Sequence, residues 1–193
     1  MSHLPVGLLL AAGQGKRFGS NKLLHPIEDE LPMFQLMAEK MLDVLPEVVL
    51  VINPQLIPYV DSLEQRGMHV VLNEQAEQGI GSSIACGVRA SPDATGWLIA
   101  LADMPYVKTQ TIQQLSQRLQ KGADIVAPLY KQQRGHPVGF KQCFKDELMN
   151  LDSDIGAREI IQNHQDQLEL LESDDAGTIT DIDQKSDLAI KIE

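Results

Sequence analysis

Cysteine is scarce in this chain of 193 residues: only Cys86 and Cys143 occur, and they lie far apart. No Cys-x-x-Cys spacing is present, so neither a disulfide framework nor a zinc knuckle is implied. The five histidines show no paired spacing either, so ligation of a soft metal has little support. We expect both thiols to be reduced and either buried or half-buried.

Long hydrophobic runs are also missing. No apolar stretch approaches the ~18 residues of a membrane-spanning helix, and the first five residues lack the basic segment that opens a signal peptide. The sequence has no repeats, no linker and no low-complexity tract, and its length suffices for one substantial core. We therefore predict a cytoplasmic protein without a membrane partner, built as a single domain over residues 1–193.

Positive charge is in short supply, since 16 lysines and arginines stand against 27 aspartates and glutamates, giving a formal net charge of −11. Binding of DNA or RNA depends on neutralising many phosphates at once, so this balance argues against a nucleic-acid partner. A small phosphorylated ligand responds only to the local field around its site. A cluster of cations within the acidic chain could therefore still bind such a ligand.

Apolar segments of the buried-strand type recur along the chain, with helical patterns between them. Strands that are buried on both faces and alternate with helices are typical of a parallel sheet with right-handed crossovers. We therefore predict an α/β fold, a three-layer, Rossmann-like architecture around a mostly parallel central sheet. The predicted strands are residues 6–11, 47–52, 69–72, 97–102 and 124–128.

Apolar residues at three- and four-residue spacing predict helices between these strands, for example over residues 34–44 and 112–119. Beyond the fifth strand the regularity loosens. Residues 131–135 are typical of a polar turn, residues 136–140 of a short extended piece, and residues 178–183 of a late strand.

A loop rich in glycine and positive charge follows the first strand. Residues 11–22 read Ala-Ala-Gly-Gln-Gly-Lys-Arg-Phe-Gly-Ser-Asn-Lys, and in such a loop backbone N–H groups, Arg17 and Lys22 can close around a phosphate chain. A P-loop is excluded because the only Gly-Lys pair in this loop is followed by Arg17. The dinucleotide fingerprint also fails, because Phe18 stands where its third glycine belongs. The alternative is a surface turn with solvated charges.

Aspartates follow two of the predicted strands. Asp103 comes directly after the strand at residues 97–102, and Asp181 and Asp183 lie at the end of the late strand. Ligands of open α/β sheets bind beyond the carboxyl ends of the strands, and Mg²⁺ is usually held by one or two carboxylates, substrate phosphates and waters. The pattern predicts a Mg²⁺ site built on Asp103 and one of the late pair. The alternative for Asp103 is an ordinary capping or turn acid.

Together these segments resemble the nucleotidyltransferases of molybdenum-cofactor maturation, and among them the molybdenum cofactor cytidylyltransferases (the MobA/MocA-like family). Residues 11–22 resemble the family signature Ala-Ala-Gly-x-x-x-Arg-x-Gly-x-x-Lys. The resemblance spans most of the chain and implies the nucleotidyltransferase fold. Further matching pieces follow in the family's order, at residues 78–83, 102–105, 135–138 and 153–158.

The resemblance implies a role for each matching position. The implied catalytic residues are Arg17, Lys22 and Asp103, and the implied Mg²⁺ ligands are Asp103 and Asp183. The residues implied to receive the acceptor's phosphate are His136 and Arg158, although a lone histidine before proline is equally often structural. The residues implied to bind the nucleotide are Ala11, Ala12, Gly13, Gly15, Gly19, Gly79, Ser82 and Ser83.

The implied activity is transfer of CMP from CTP to the terminal phosphate of molybdopterin or of the molybdenum cofactor, which gives the cytosine dinucleotide cofactor and pyrophosphate. Ala12 fits the cytidylyl branch, because guanylyl relatives usually carry glycine there and a methyl group takes up room that a purine needs. Such a difference in packing is worth only ~1–3 kcal/mol. Transient contact with a recipient molybdoenzyme is a further implied interaction.

Three alternatives stay open at this point. The enzyme could transfer GMP or another nucleotide, or act on a different phosphorylated acceptor such as a sugar phosphate. From a different class, the glycine-rich turn could bind NAD(P) in an oxidoreductase, against which the failed fingerprint counts. The third is a non-catalytic carrier of the finished pterin dinucleotide, and the presence of Arg17, Lys22 and Asp103 argues against it.

Overall fold

The centre of the fold is one mixed sheet of eight strands. The computed structural model describes residues 4–13, 18, 21–27, 31–152 and 154–189. The strands are β1 (Val6–Ala11), β2 (Val48–Ile52), β3 (His69–Leu72), β4 (Gly96–Leu101), β5 (Ile125–Tyr130), β6 (Gln133–Arg134), β7 (Val138–Lys141) and β8 (Leu168–Glu172). The strands range from two residues in β6 to six in β1, β4 and β5.

The strand order is β3-β2-β1-β4-β7-β5-β6, with β8 pairing with β5. Strands β3, β2, β1 and β4 are parallel to one another, as are β5 and β8. Strand β7 is antiparallel to both β4 and β5, and β6 forms a hairpin with β5. Because neighbouring parallel strands end at the same edge, the residues after β1, β2, β3 and β4 all lie at the carboxyl edge of the sheet.

Helices cover both faces of this sheet. They are α1 (Met33–Leu42), α2 (Asp61–Gln65), α3 (Ile80–Ala90), α4 (Thr109–Gln120), α5 (Lys145–Met149) and α6 (Arg158–Asn163). One apolar cluster joins the sheet to α1 and α4 and contains Met37 and Leu115. A second cluster joins the opposite face to α3, α5 and α6 and contains Val88 and Trp97. These layers confirm the predicted α/β fold.

The five predicted strands are all present: β1 and β3 have the predicted boundaries, and the boundaries of β2, β4 and β5 are shifted by one or two residues. The extended piece predicted at residues 136–140 corresponds to β7, and the polar turn before it includes the short strand β6. The helices predicted over residues 34–44 and 112–119 are α1 and α4. Continuous apolar runs were therefore sufficient to find the part of the sheet that is buried on both faces.

The strand predicted over residues 178–183 was wrong. Ala176–Ile179 form a 3-10 turn instead, and the late strand is β8, which ends at Glu172 before that turn begins. The turn is fixed by Asp175, whose carboxylate accepts a hydrogen bond from the Gly177 N–H at 3.0 Å. Its other oxygen accepts from the Lys108 N–H at 2.8 Å and from the Thr111 hydroxyl at 2.6 Å. Asp175 is buried, and both of its carboxylate oxygens accept hydrogen bonds. These hydrogen bonds favour the turn over the strand that the local sequence predicts.

Both cysteines are free. Cys86 is half-buried, but Cys143 is exposed, so the prediction of burial was wrong for that residue. Cys143 lies in a short 3-10 turn after β7, where its neighbour Phe144 takes the buried position. Among the described residues, no helix is both long and apolar enough to cross a bilayer.

Candidate active site

A buried lysine joins two aspartates at the carboxyl edge of the sheet. The Nζ atom of Lys22 donates one hydrogen bond to Oδ2 of Asp103 and another to Oδ1 of Asp183, each at 2.8 Å. The Lys22 side chain is only 9% exposed, whereas the two carboxylates are 26% and 29% exposed. The Lys22 ammonium thus joins Asp103 to Asp183, and the sequence had indicated each of these three residues separately.

Electrostatics keep this lysine charged. Burial favours the neutral amine and by itself would lower the pKa of Lys22. The charges of Asp103 and Asp183, and the hydrogen bonds to them, outweigh burial and raise the pKa above its usual value. The site therefore contains an ammonium ion between two carboxylates, with one negative charge left over.

The backbone around Lys22 is held by asparagine side chains. Asn21 accepts a hydrogen bond from the Leu23 N–H at 3.2 Å and so begins the 3-10 turn Lys22–Leu24. At the start of the loop, the Asn53 amide donates to the carbonyl oxygens of Ala12 at 3.2 Å and Gly13 at 3.4 Å. Both ends of the described part of this loop are therefore attached to asparagine side chains.

The two aspartates reach the lysine from β4 and from the last segment of the chain. Asp103 follows β4 closely, and its carbonyl oxygen accepts a hydrogen bond from the Ile182 N–H at 2.9 Å. Asp187 then accepts hydrogen bonds from the N–H groups of Asp183 at 2.9 Å and Gln184 at 2.7 Å, which lower the pKa of Asp187. Asp181 is exposed, so the late aspartate that faces Lys22 is Asp183.

A cleft of about 630 Å³ opens beside these three residues. This volume is in the range of small-molecule sites. Several of the residues predicted to bind the nucleotide line it, whereas Ala11 and Ser82 do not. The lining residues are Leu10, Ala12, Gly13, Lys22, Leu23, Ala76, Glu77, Gly79, Ile80, Ser83, Leu101, Asp103, Asp154 and Asp183.

The far wall of the cleft is the turn that begins α3. Gly79 has a φ of 108°, and a Cβ atom there would lie 2.2 Å from Oδ1 of Asp154, so only glycine fits. The Ser82 hydroxyl is within hydrogen-bonding distance of the carbonyl oxygens of Gln75 and Gly79. The Asn73 amide donates to the hydroxyls of Ser82 and Ser83, each at 3.0 Å. Ser82 therefore stabilises the turn, and Ser83 is the serine on the cleft wall.

Three of the predicted site residues, Arg17, Gly15 and Gly19, lie outside the residues that the structure describes. Their roles stay predictions from the sequence. The described ends of the same loop, Gly13 and Lys22, both line the cleft.

The two residues predicted to receive the acceptor, His136 and Arg158, do not line this cleft. The His136 N–H donates to the Thr178 carbonyl oxygen at 2.8 Å, and its buried Nδ1 atom has no hydrogen-bond partner among the described residues. Burial, aided by the charge of Arg134 and opposed by that of Asp103, lowers the pKa of His136 to about 4. The imidazole is therefore neutral at pH 7 and cannot attract a phosphate by charge.

Arg134 on β6 is a cation that the sequence analysis missed. Partial burial and the charge of Arg158 both lower the pKa of Arg134, and both arginine side chains are exposed. In the part of the chain that the structure describes, neither arginine forms an ion pair with a carboxylate. The signal that could have found Arg134 is its place just before the Gly-His-Pro piece already singled out.

Asn53 and Asn73 were also missed, although the signal that indicated Asp103 applies to them. Each asparagine directly follows a parallel strand, β2 or β3, at the carboxyl edge of the sheet. Both are buried and hold the walls of the cleft through side-chain amides. Polar residues at that edge were therefore a better guide than acids alone.

Asp103 and Asp183 are the described residues best placed to hold a metal ion. Both present a carboxylate oxygen to the same point charge, the Lys22 ammonium. Within the described ranges, no group of three or more histidine, cysteine or acidic side chains could form a complete metal site. Two carboxylates fit a hard cation such as Mg²⁺ or Mn²⁺ that takes its other ligands from phosphates and water.

Comparison with known proteins fits this geometry. Residues 7–168 match the family described as "MobA-like NTP transferase domain". The chain belongs to this family. It is a nucleotidyltransferase with the Rossmann-like fold that the resemblance had implied. A curated relative, "Nicotine blue oxidoreductase" of Paenarthrobacter nicotinovorans, is 28% identical over 189 residues, covering 92% of this chain and 91% of that protein.

Solved structures share the fold. The crystal structure of Rv0371c from Mycobacterium tuberculosis has a TM-score of 0.81 at 22% identity and covers 95% of both chains. A second structure of that protein is a complex with manganese. Molybdopterin-guanine dinucleotide biosynthesis protein A of Archaeoglobus fulgidus has a TM-score of 0.65 at 18% identity, covering 95% of this chain and 94% of that one.

The buried imidazole of His136 should make stability depend on pH. Because the folded pKa of about 4 lies below the usual value of 6.5, the unfolded chain binds a proton more readily between those values. The free energy of unfolding should fall as the pH is lowered from 7 to 5, with about 2 kcal/mol of that fall due to His136. Urea unfolding of the wild type and of His136→Gln at both pH values measures this contribution.

The same substitution at His69, whose side chain is exposed on β3, is the matched control. His69→Gln should keep the pH dependence of the wild type, and His136→Gln should reduce it. Equal slopes for the wild type and His136→Gln would show that the fold does not hold this imidazole neutral.

Proposed function

We propose that this nucleotidyltransferase moves CMP from CTP to the terminal phosphate of molybdopterin or of the molybdenum cofactor, with release of pyrophosphate. The observation that carries the proposal is the Lys22 ammonium between Asp103 and Asp183, at the end of a cleft of nucleotide size. The molybdopterin acceptor is supported by the sequence resemblance and by the name of the Archaeoglobus fulgidus neighbour. The proposal includes a single domain over residues 1–193, a cytoplasmic location and transient contact with a recipient molybdoenzyme.

The residues of the cleft suit a triphosphate. Lys22 lies at the cleft wall and can donate to phosphate oxygens, and Gly13, which is exposed, leaves room for a close approach of the phosphate chain. Asp103 and Asp183 would hold a divalent cation, supported by the manganese complex of the Mycobacterium tuberculosis protein. Bound there, Mg²⁺ would neutralise part of the charge on the triphosphate.

The reaction then needs no covalent enzyme intermediate. An oxygen of the acceptor phosphate forms a bond to the α-phosphorus of CTP, and the bond from that phosphorus to the bridging oxygen breaks, so that pyrophosphate leaves. The acceptor phosphate is already ionised near neutral pH, so no general base is required. The contribution of the protein is to hold two anions that repel each other and to stabilise the charge of the transition state.

The base of the nucleotide is the least constrained part of the proposal. Ala12 is buried and lines the cleft. Its methyl group supports binding of a pyrimidine base over binding of a larger purine. One methyl group is worth only ~1–3 kcal/mol.

We therefore expect pyrophosphate release with molybdopterin and Mg²⁺ to be fastest with CTP, roughly 10- to 200-fold ahead of GTP in kcat/KM. The measurement is a comparison of CTP, GTP, ATP and UTP in turn with the purified protein. Ala12→Gly should narrow the gap between CTP and GTP, because it removes the methyl group. A clear preference of the wild type for another base would overturn the choice of CTP.

The two late aspartates provide a matched pair of variants. Asp183→Asn removes one of the carboxylates that would hold the cation and should lower kcat by on the order of 100-fold, the effect of losing a few kcal/mol of transition-state stabilisation. Asp181→Asn changes an exposed residue in the same segment and should leave kcat close to the wild type. Steady-state pyrophosphate release measures both. Equal activity of the two variants would remove Asp183 from the proposed metal site.

Arg134 and Arg158 are the groups that we propose for the acceptor phosphate. The charge of Arg158 acts on Arg134, both side chains are exposed, and an anion placed between two guanidinium groups would be stabilised by both. His136, neutral beside them, would then act as a hydrogen-bonding or structural residue.

Arg134→Ala and Arg158→Ala should each raise the KM for molybdopterin by roughly tenfold or more and change the KM for CTP little, because each removes one charged hydrogen bond to the acceptor. Arg118→Ala, which breaks an ion pair between Arg118 and Glu169 at 3.0 Å, is the control and should change neither KM. A larger effect on CTP than on molybdopterin would place the two arginines at the nucleotide and not at the acceptor.

A second candidate is an oxidoreductase, the class given in the name of the Paenarthrobacter nicotinovorans relative. The glycine-rich turn of this chain would then bind NAD(P). Against it, the loop at residues 11–22 lacks the dinucleotide fingerprint. In addition, the site contains a lysine between two aspartates, and binding of NAD(P) does not require such a group. Oxidation of NADH or NADPH by the purified chain, without release of pyrophosphate from any nucleotide, would favour this candidate. Tight binding of the pterin dinucleotide without turnover would instead favour a carrier.

A further inference from the structure

The position between Asp103 and Asp183 is already filled by a cation that belongs to the chain. Lys22 reaches both carboxylates at 2.8 Å, while its side chain is 9% exposed and theirs are 26% and 29% exposed. All three residues line the cleft, and the two acids are more exposed there than the lysine. The two hydrogen bonds pair the charge of the lysine, and an unpaired charge that is buried would destabilise the fold.

A metal ion held by both acids would compete with the ammonium for the oxygens that now accept its hydrogen bonds. Oδ2 of Asp103 and Oδ1 of Asp183 each accept from the same Nζ atom. A divalent cation that used both oxygens would have to replace the ammonium, because two cations at such short range repel each other strongly. Once displaced, the buried ammonium needs a new anion, and the triphosphate is the anion that would arrive with the metal.

We infer that Lys22 is an internal counter-ion that competes with free metal for Asp103 and Asp183, and that it exchanges these carboxylates for the triphosphate when metal and nucleotide bind together. The inference deepens the proposed function and rests on it for the identity of the metal ligands. Its consequence is positive coupling: metal alone binds weakly, nucleotide alone binds weakly, and each strengthens the binding of the other.

Titration with Mn²⁺, followed by the electron paramagnetic resonance signal of the free ion, tests the exchange without any turnover. In the absence of nucleotide, Lys22→Met should bind Mn²⁺ more tightly than the wild type, by roughly 5- to 150-fold, the usual size of a coupling between two sites. Addition of CTP should tighten Mn²⁺ binding in the wild type. The effect of CTP should be much smaller in Lys22→Met, because this variant has no ammonium group that could bind the triphosphate.

The controls separate charge from packing. Lys22→Gln keeps a hydrogen-bond donor without the charge and should also bind free Mn²⁺ more tightly, which keeps the test open if Lys22→Met does not fold. Lys108→Met removes a lysine from a surface ion pair with Asp174 and should leave Mn²⁺ binding unchanged. In Lys22→Met combined with Asp183→Asn, the gain in Mn²⁺ affinity should disappear.

Unchanged or weaker Mn²⁺ binding by folded Lys22→Gln would overturn the exchange, whether or not the wild type transfers CMP. Conversely, tighter Mn²⁺ binding by the lysine variants would support the exchange even if CTP and molybdopterin gave no pyrophosphate with the wild type. The failure of the inference and the failure of the proposed substrates are thus distinguishable.

Discussion

The contact on which the site depends is the pair of hydrogen bonds from one buried ammonium to two carboxylates that are distant in the sequence. Lys22 is separated from Asp103 by 81 positions and from Asp183 by 161. A buried charge is tolerated only when it is paired, so the lysine constrains the glycine-rich loop, the end of β4 and the last segment of the chain at once. The same two hydrogen bonds therefore stabilise the fold and bring the residues of the site together.

The order of the strands brings these parts together. Strand β1 lies between β2 and β4, all parallel, so the loop after β1 and the acid after β4 reach the same edge of the sheet. Asn53 and Asn73 follow β2 and β3 at that edge and fix the walls of the cleft. The cleft is therefore a consequence of parallel pairing, which places these strand ends on one side.

The sequence was a reliable guide wherever a pattern is local. Strands buried on both faces are continuous apolar runs, and Asp103 could be predicted because a polar residue after such a run lies at the binding edge. Strand β8 was missed because its sequence, Leu-Glu-Leu-Leu-Glu, is half-buried and not a continuous apolar run. The choice between Asp181 and Asp183 depends on contacts with residues far away in the chain, and the influence of Arg158 on the pKa of Arg134 has no local signal in the sequence.

Asp175 shows how the second acid is kept in place. Its carboxylate ties the turn after β8 to the first turn of α4, and only eight positions later the chain presents Asp183 to the cleft. The match to the family ends at residue 168, so this anchor and the acid it positions both lie in the segment beyond it. The second carboxylate of the site therefore depends on a part of the chain outside the region that defines the family.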